Sequence, residues 1–124
     1  MRLPRALRTN RAYTHPESRD PRLRGRTYDV AFARVWEAAL AEVERRKWKV
    51  LEAKPVEGEI HAEARTRVWK FTDDVWIRLS LDPGDGRTRV DMVSASRVGT
   101  ADLGTNARRI ARFLHALDRR LRTK

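Results

Sequence analysis

A chain of 124 residues without cysteine is sized for one domain with a single core, and it holds neither a disulfide nor a thiolate metal centre. Its formal net charge is +11, and the excess sits at the two ends. Residues 1–26 carry eight arginines against two acids and residues 103–124 carry seven bases against one acid, while the stretch between is close to neutral.

The first 24 residues lack apolar periodicity and contain Pro4, Pro16 and Pro21, which predicts a basic extended arm ahead of a domain spanning 25–124. A short strand is expected near Arg26–Asp29. Phe32, Val35, Trp36, Ala39, Leu40 and Val43 then recur at i, i+3, i+4, i+7, i+8 and i+11, the pattern of one buried helical stripe. Asp29 is the expected N-cap, Glu42 and Arg46 an i,i+4 ion pair, and Arg45–Lys47 a complement to the helix dipole.

Beyond Trp48 the period changes to two, predicting strands near 48–53, 59–68, 74–81 and 87–97. Pro55 and Gly58 mark the first turn, Lys70–Asp73 a second and Pro83-Gly84-Asp85-Gly86 a third, so the strands form an antiparallel meander. A last helix from about Leu103 to Arg120 places Leu103, Ile110, Leu114, Leu117 and Leu121 on one side, with Phe113 beside them. The expected fold is α+β: an antiparallel sheet of about five strands in the order β-α-β-β-β-β-α, the first strand beside the last and both helices on one face.

Alternation sorts the strand residues onto two faces. Ile60, Ala62, Ala64, Thr66, Val68, Val75, Ile77, Leu79, Leu81, Val90, Met92, Ser94 and Ser96 form the core face. Its small residues leave room either for Trp36 and Phe113 or for a small apolar ligand, and close packing favours the rings. On the opposite face lie Arg65, Arg67, Trp69, Trp76, Arg78, Arg89 and Arg97, with His61, Glu63 and Asp91 among them. That surface suits either base stacking with phosphate contacts or, more simply, cross-strand pairing of acids with arginines and cover by a protein segment.

The three histidines, His15, His61 and His115, have no metal-ligand spacing, and no nucleophile elbow, Walker loop or dinucleotide fingerprint occurs. Asp73-Asp74 reads as an acidic pair at a turn. These absences point away from catalysis, metal and cofactor. The passage SASRVGTADLGTNARRI, residues 94–110, is the densest in polar groups. It reads as a strand end, a turn at Gly99–Ala101 and a helix start capped by Asp102 or Thr105. Arg97, Asp102, Asn106, Arg108, Arg109 and Arg112 are its candidate functional residues. Two uses are open: an anion held at the helix N-terminus, or a junction locked by Asp102 pairing with Arg97 or Arg109, and the negative charge of Asp102 favours the lock.

Three segments carry a resemblance: RTYDVAFARVWEAALAEVERRKWKV, FTDDVWIRL and RTRVDMVSASRVGTADLGTNARRIARFL. Over about residues 25–117 the chain resembles a family of small bacterial and plastid-lineage domains known as domain of unknown function 1499. The resemblance implies a shared fold and an R-S-A-S-R-like strand leading into a D-x-G-x-N-x-x-R-I helix. Met92-Val93 stands where the family pattern has Val-Arg, which removes one outward arginine. No activity comes with the resemblance.

The expectation is therefore a non-catalytic binding or scaffolding module whose basic ends meet an anionic membrane surface or acidic protein, ahead of nucleic acid. A carrier of a small apolar ligand is the alternative. No secretory h-region or membrane-spanning run is read, so a cytoplasmic protein is expected, with peripheral membrane association as the alternative.

Overall fold

The computed structural model describes residues 11–65, 72–97 and 103–122. Their elements are β1 (Arg11–Tyr13), a 3-10 turn (Pro21–Leu23), β2 (Arg26–Tyr28), α1 (Phe32–Arg45), β3 (Lys49–Lys54), β4 (Glu59–Arg65), β5 (Thr72–Leu81), β6 (Thr88–Ser96) and α2 (Leu103–Arg122). The α+β class, the antiparallel meander and the pairing of β2 with the last strand are as the sequence predicts.

Six strands make one sheet in the order β1-β6-β5-β4-β3, and β2 also pairs with β6. Ala12 lies opposite Ser94 and Thr27 opposite Arg89, so β1 and β2 occupy successive halves of one edge of β6. Thr14 bridges the break between them. Its hydroxyl donates to Asp91 (2.8 Å) and accepts from the Met92 amide (3.0 Å). The stretch read as an arm is thus extended at Arg11–Tyr13, but as an edge strand of the sheet with Ala12 buried.

The period-two residues bury together. Ile60, Ala62, Ala64, Val75, Ile77, Leu79, Val90 and Met92 pack with Val35, Ala39 and Val43 of α1 and with Ile110, Phe113, Leu114 and Leu117 of α2. Each large apolar side chain so buried contributes roughly 1.5–3 kcal/mol. Phe113 stacks on Trp48 at 5.5 Å between ring centroids, and Trp36 packs partly buried against the same core.

Three local expectations change. Helix α1 starts at Phe32 with Ala31 as an N-cap that has no side-chain bond, so Asp29 is not the cap. The Val30 carbonyl instead accepts from Thr88 Oγ1 (2.8 Å), which ties the preceding segment to β6 and delays the helix. Asp73 lies within β5 rather than in a turn. Leu81, on the core-face parity, is exposed at the strand end. Thr66, Arg67, Val68, Trp69, the Lys70 end of the second turn, Gly99–Ala101 and Asp102 lie outside the described residues.

Gly58 turns the chain from β3 into β4 at φ +74°. A Cβ there would stand 2.3 Å from the Leu79 carbonyl oxygen, which is held in the sheet. Gly58→Ala therefore combines left-handed backbone strain with a backbone clash, and a loss of about 2 kcal/mol in urea unfolding is expected.

Candidate functional site

Two polar assemblies stand out, one built by the residues the sequence singled out and one it did not reveal. The first surrounds the start of α2. Asn106 is fully buried on the second turn of that helix, above the two serines of β6. Ser94 Oγ donates to Asn106 Oδ1 (2.6 Å), and Asn106 Nδ2 donates to Ser96 Oγ (2.9 Å). The space that the small residues Ser94 and Ser96 leave on the core face is filled here by an amide.

Arg109, one turn further along α2, completes this network. Its Nη1 donates to Asn106 Oδ1 (2.8 Å) and Ser94 Oγ (3.1 Å) and lies 2.8 Å from Asp73 Oδ2. The Arg109 and Asp73 side chains are only 11% and 3% exposed, so this ion pair sits in the core, where each charge relies on the other.

Arg97, at the end of β6, does the same work on the opposite face. It donates from Nε and Nη2 to the two oxygens of Asp74 (2.8 Å each) and from Nη2 to Glu63 (2.7 Å). Glu63 and Asp74 lie directly opposite each other across β4 and β5, a like-charge pair that Arg97 neutralises. His61 adds a bond to Asp74 Oδ1 (2.9 Å) and stacks on Trp76 with centroids 4.5 Å apart. Burial pushes the Asp74 carboxyl up, but Arg97 and His61 outweigh it and hold it below the usual carboxylate range.

The adjacent acids Asp73 and Asp74 therefore point to opposite faces, and each takes one arginine of the 94–110 passage. Among the described residues the junction is locked by this acidic pair, whereas the Asp102 cap lies outside them. Thr105 is the third residue of α2, inside the helix, so it is not the cap. On the outer sheet face Arg65 and Arg78 are exposed and Trp76 is half-buried, while Arg67 and Trp69 lie outside the described residues.

The second assembly is a groove of about 700 Å³ between α1, α2 and the stretch that runs from the 3-10 turn into the start of β2. Arg22, Arg26, Arg45, Arg46, Arg112, Arg119 and Arg120 line it, together with His115, Ala111, Ala116 and Glu42. Glu42 is 1% exposed at its floor. Its carboxylate accepts from Arg45 Nη2 (2.7 Å), Arg46 Nε (2.6 Å) and Arg120 Nε (3.0 Å). The predicted Glu42–Arg46 pair is thus one arm of a three-arginine clamp that joins the two helices. Burial acts to raise the Glu42 pKa, and the bonds from Arg45, Arg120 and Arg46 hold it below its ordinary value instead.

Arg46 also donates to the Arg112 carbonyl (3.2 Å). Asp118, the one acid of α2, is taken by Arg26 (3.0 Å) and by the Tyr28 hydroxyl (2.6 Å). Arg108, Arg112, Arg119 and Arg122, with His115 among them, form an exposed basic row along α2. Spacings of three and four residues keep the row on one side of the helix over about 21 Å. Arg108 and Arg112, chosen from the sequence as part of the junction, belong to this row. Arg97, Asn106 and Arg109 belong to the lock.

No group of three or more His, Asp or Glu that could hold a metal ion occurs among the described residues. No helix among them is long and apolar enough to cross a membrane. The family model for Protein of unknown function (DUF1499) matches residues 3–117, nearly the whole chain. The chain belongs to the DUF1499 family. No match to this DUF1499 chain was found among curated proteins. The DUF1499 match spans both assemblies except for Asp118 and the last three arginines of α2, Arg119, Arg120 and Arg122.

Proposed function

We propose that the protein is a non-catalytic binding module that docks on an anionic membrane surface through the arginine groove and the cationic row of α2. The observation that carries this reading is the groove itself, in which seven arginines from three separate segments converge around one buried carboxylate. Ile110, Phe113, Leu114 and Leu117 on the apolar side of α2 are all committed to the core. Contact with a bilayer is therefore electrostatic and non-inserting. Filling of the core face by Phe113 and Asn106 favours this surface reading over an apolar-ligand carrier.

Electrostatic docking of this kind weakens steeply with salt, because each arginine at the surface contributes on the order of 1 kcal/mol and is screened within a Debye length. Co-sedimentation with phosphatidylglycerol vesicles is expected at about 50 mM salt and is expected to fall at least tenfold by about 300 mM. Neutral phosphatidylcholine vesicles are expected to leave the protein in the supernatant, and Arg112→Glu to reduce the low-salt binding severalfold. Absence of low-salt binding to the anionic vesicles, or salt-insensitive binding, overturns the proposal. Binding to polyglutamate but not to vesicles assigns the surface to an acidic protein instead.

A further inference from the structure

The groove is more than a patch of charge, because its cations are held in place. Arg45, Arg46 and Arg120 converge on Glu42 from two helices, with donor–acceptor distances of 2.6–3.0 Å for the closest bond of each. A guanidinium has five N–H donors in a rigid fork. Arg120 places only Nε on Glu42, Arg45 uses Nε and Nη2, and Arg46 uses Nε on Glu42 and Nη2 on the Arg112 carbonyl. Each side chain is oriented by Glu42 and still has terminal donors that no described residue takes. The internal carboxylate works as a template. It fixes the arginines before any ligand arrives, which lowers the ordering cost of binding, but its own charge also competes with an anionic ligand for them, and that competition is the larger effect.

The lining also restricts the ligand. Among the described residues it contains no phenylalanine, tyrosine or tryptophan, so base stacking there has only His115 and guanidinium planes to use. Its apolar residues are Ala111 and Ala116, which hold no acyl chain. The arginines come from the 3-10 turn (Arg22), the start of β2 (Arg26), α1 and α2, so they are not presented by a single element. A planar carboxylate accepts in one plane, whereas a phosphoryl group presents acceptor oxygens in three dimensions and carries up to about two charges. Three carboxylates, Asp20, Glu42 and Asp118, pair with five of the seven lining arginines, so the lining keeps a formal excess of positive charge that suits a ligand with several negative charges. A volume of about 700 Å³ suits a small group rather than a polymer.

We propose that this groove is a binding site for compact, multiply charged phosphate: a condensed phosphate or a phosphomonoester-bearing headgroup. The inference rests on the groove reading above and adds selection of phosphate over other polyanions. The test uses the full chain and isothermal titration with tripolyphosphate and with citrate at matched ionic strength. Tripolyphosphate is expected to bind at one site at least tenfold more tightly than citrate. Arg112→Ala and Arg45→Ala are each expected to weaken it severalfold, while Arg78→Ala on the opposite sheet face leaves it unchanged. Circular dichroism of each variant separates loss of binding from loss of fold.

Equal affinity for citrate and tripolyphosphate, or equal losses in Arg112→Ala and Arg78→Ala, overturns the phosphate site. Vesicle binding that survives such a result leaves the membrane-docking proposal standing, and loss of both removes both. Vesicles carrying phosphatidic acid, a phosphomonoester, identify the source. Tighter binding to them than to phosphatidylglycerol at equal surface charge, reversed by tripolyphosphate, places a lipid headgroup in the groove. Tripolyphosphate binding without that preference assigns the site to a free phosphate ligand.

Discussion

Asp73→Ala is expected to lower the unfolding free energy by about 3 kcal/mol, the low end of the range for breaking a buried ion pair from one side. The cost arises because Arg109 stays in the core with its charge, 11% exposed, when its counter-ion is gone. Ser94 Oγ and Asn106 Oδ1 remain as neutral acceptors at 3.1 and 2.8 Å, which keeps the loss from being larger. For a small domain this is a large share of a total stability of about 5–15 kcal/mol. Urea unfolding reads it as a lower midpoint with an unchanged slope. Removing both charges tests the explanation. Asp73→Leu combined with Arg109→Met is expected to recover most of the loss, since two apolar side chains of similar volume leave no stranded charge. A double variant no more stable than Asp73→Ala would show that shape, not charge pairing, holds the junction.

Glu42→Gln is expected to act in opposite directions on stability and on anion binding. The amide keeps the shape of the side chain but removes the charge that Arg45, Arg46 and Arg120 share, so like charges face each other between α1 and α2. A loss of about 2–3 kcal/mol is expected, moderated because Arg45 and Arg120 are partly solvated. The same change leaves three guanidiniums available, so tripolyphosphate is expected to bind more tightly and to restore stability to a greater degree than in the parent protein. A variant that is destabilised yet shows no gain in binding would separate the clamp from the groove.

The clamp also has a pH signature. Glu42 and Asp74 are both held below their ordinary pKa values, so the unfolded chain binds more protons than the folded one in mildly acidic solution. Their contribution is complete above the unfolded value of about 4 and fades as pH falls through the lower folded values. Glu42→Gln lacks its share of that acid dependence, and a stability profile with a shallower fall below about pH 4 is the expected reading.

Much of the architecture is legible because burial imposes a period. The stripe through Val35, Ala39 and Val43 and the alternation through Val75, Ile77 and Leu79 each repeat long enough to identify their elements. β1 has no such signal. Only Ala12 of its three residues is buried, and the strand exists because β6 offers it partners, a fact of tertiary structure. Asp73 carries a signal that its charge obscures: it shares parity with Val75 and Ile77 and so belongs to the core face. Arg109, one turn beyond Asn106, is what makes that position tolerable. Glu42, three residues after Ala39, lies at the margin of the apolar stripe, and nothing local shows that Arg120 will reach it from 78 residues away. The groove follows the same logic. Its arginines are evident in composition, but their convergence depends on how α1, α2 and the stretch from the 3-10 turn into β2 are brought together.

The position of β6 has a consequence for the order in which the molecule is assembled during synthesis. This strand holds β1 and β2 along one edge and β5 along the other, yet it is the last strand to be made. The earliest strands therefore leave the ribosome with no sheet edge to join, and α1 emerges before β3, β5 and α2, against which it packs. Such long-range pairing carries a loop-closure cost that local contacts cannot offset in advance. Only β3, β4 and β5 can pair as they appear. The amino-terminal strands must wait for residues 88–96, and the Asp73–Arg109 pair must wait for α2. The nascent chain thus commits to its final form late, once β6 and α2 have emerged.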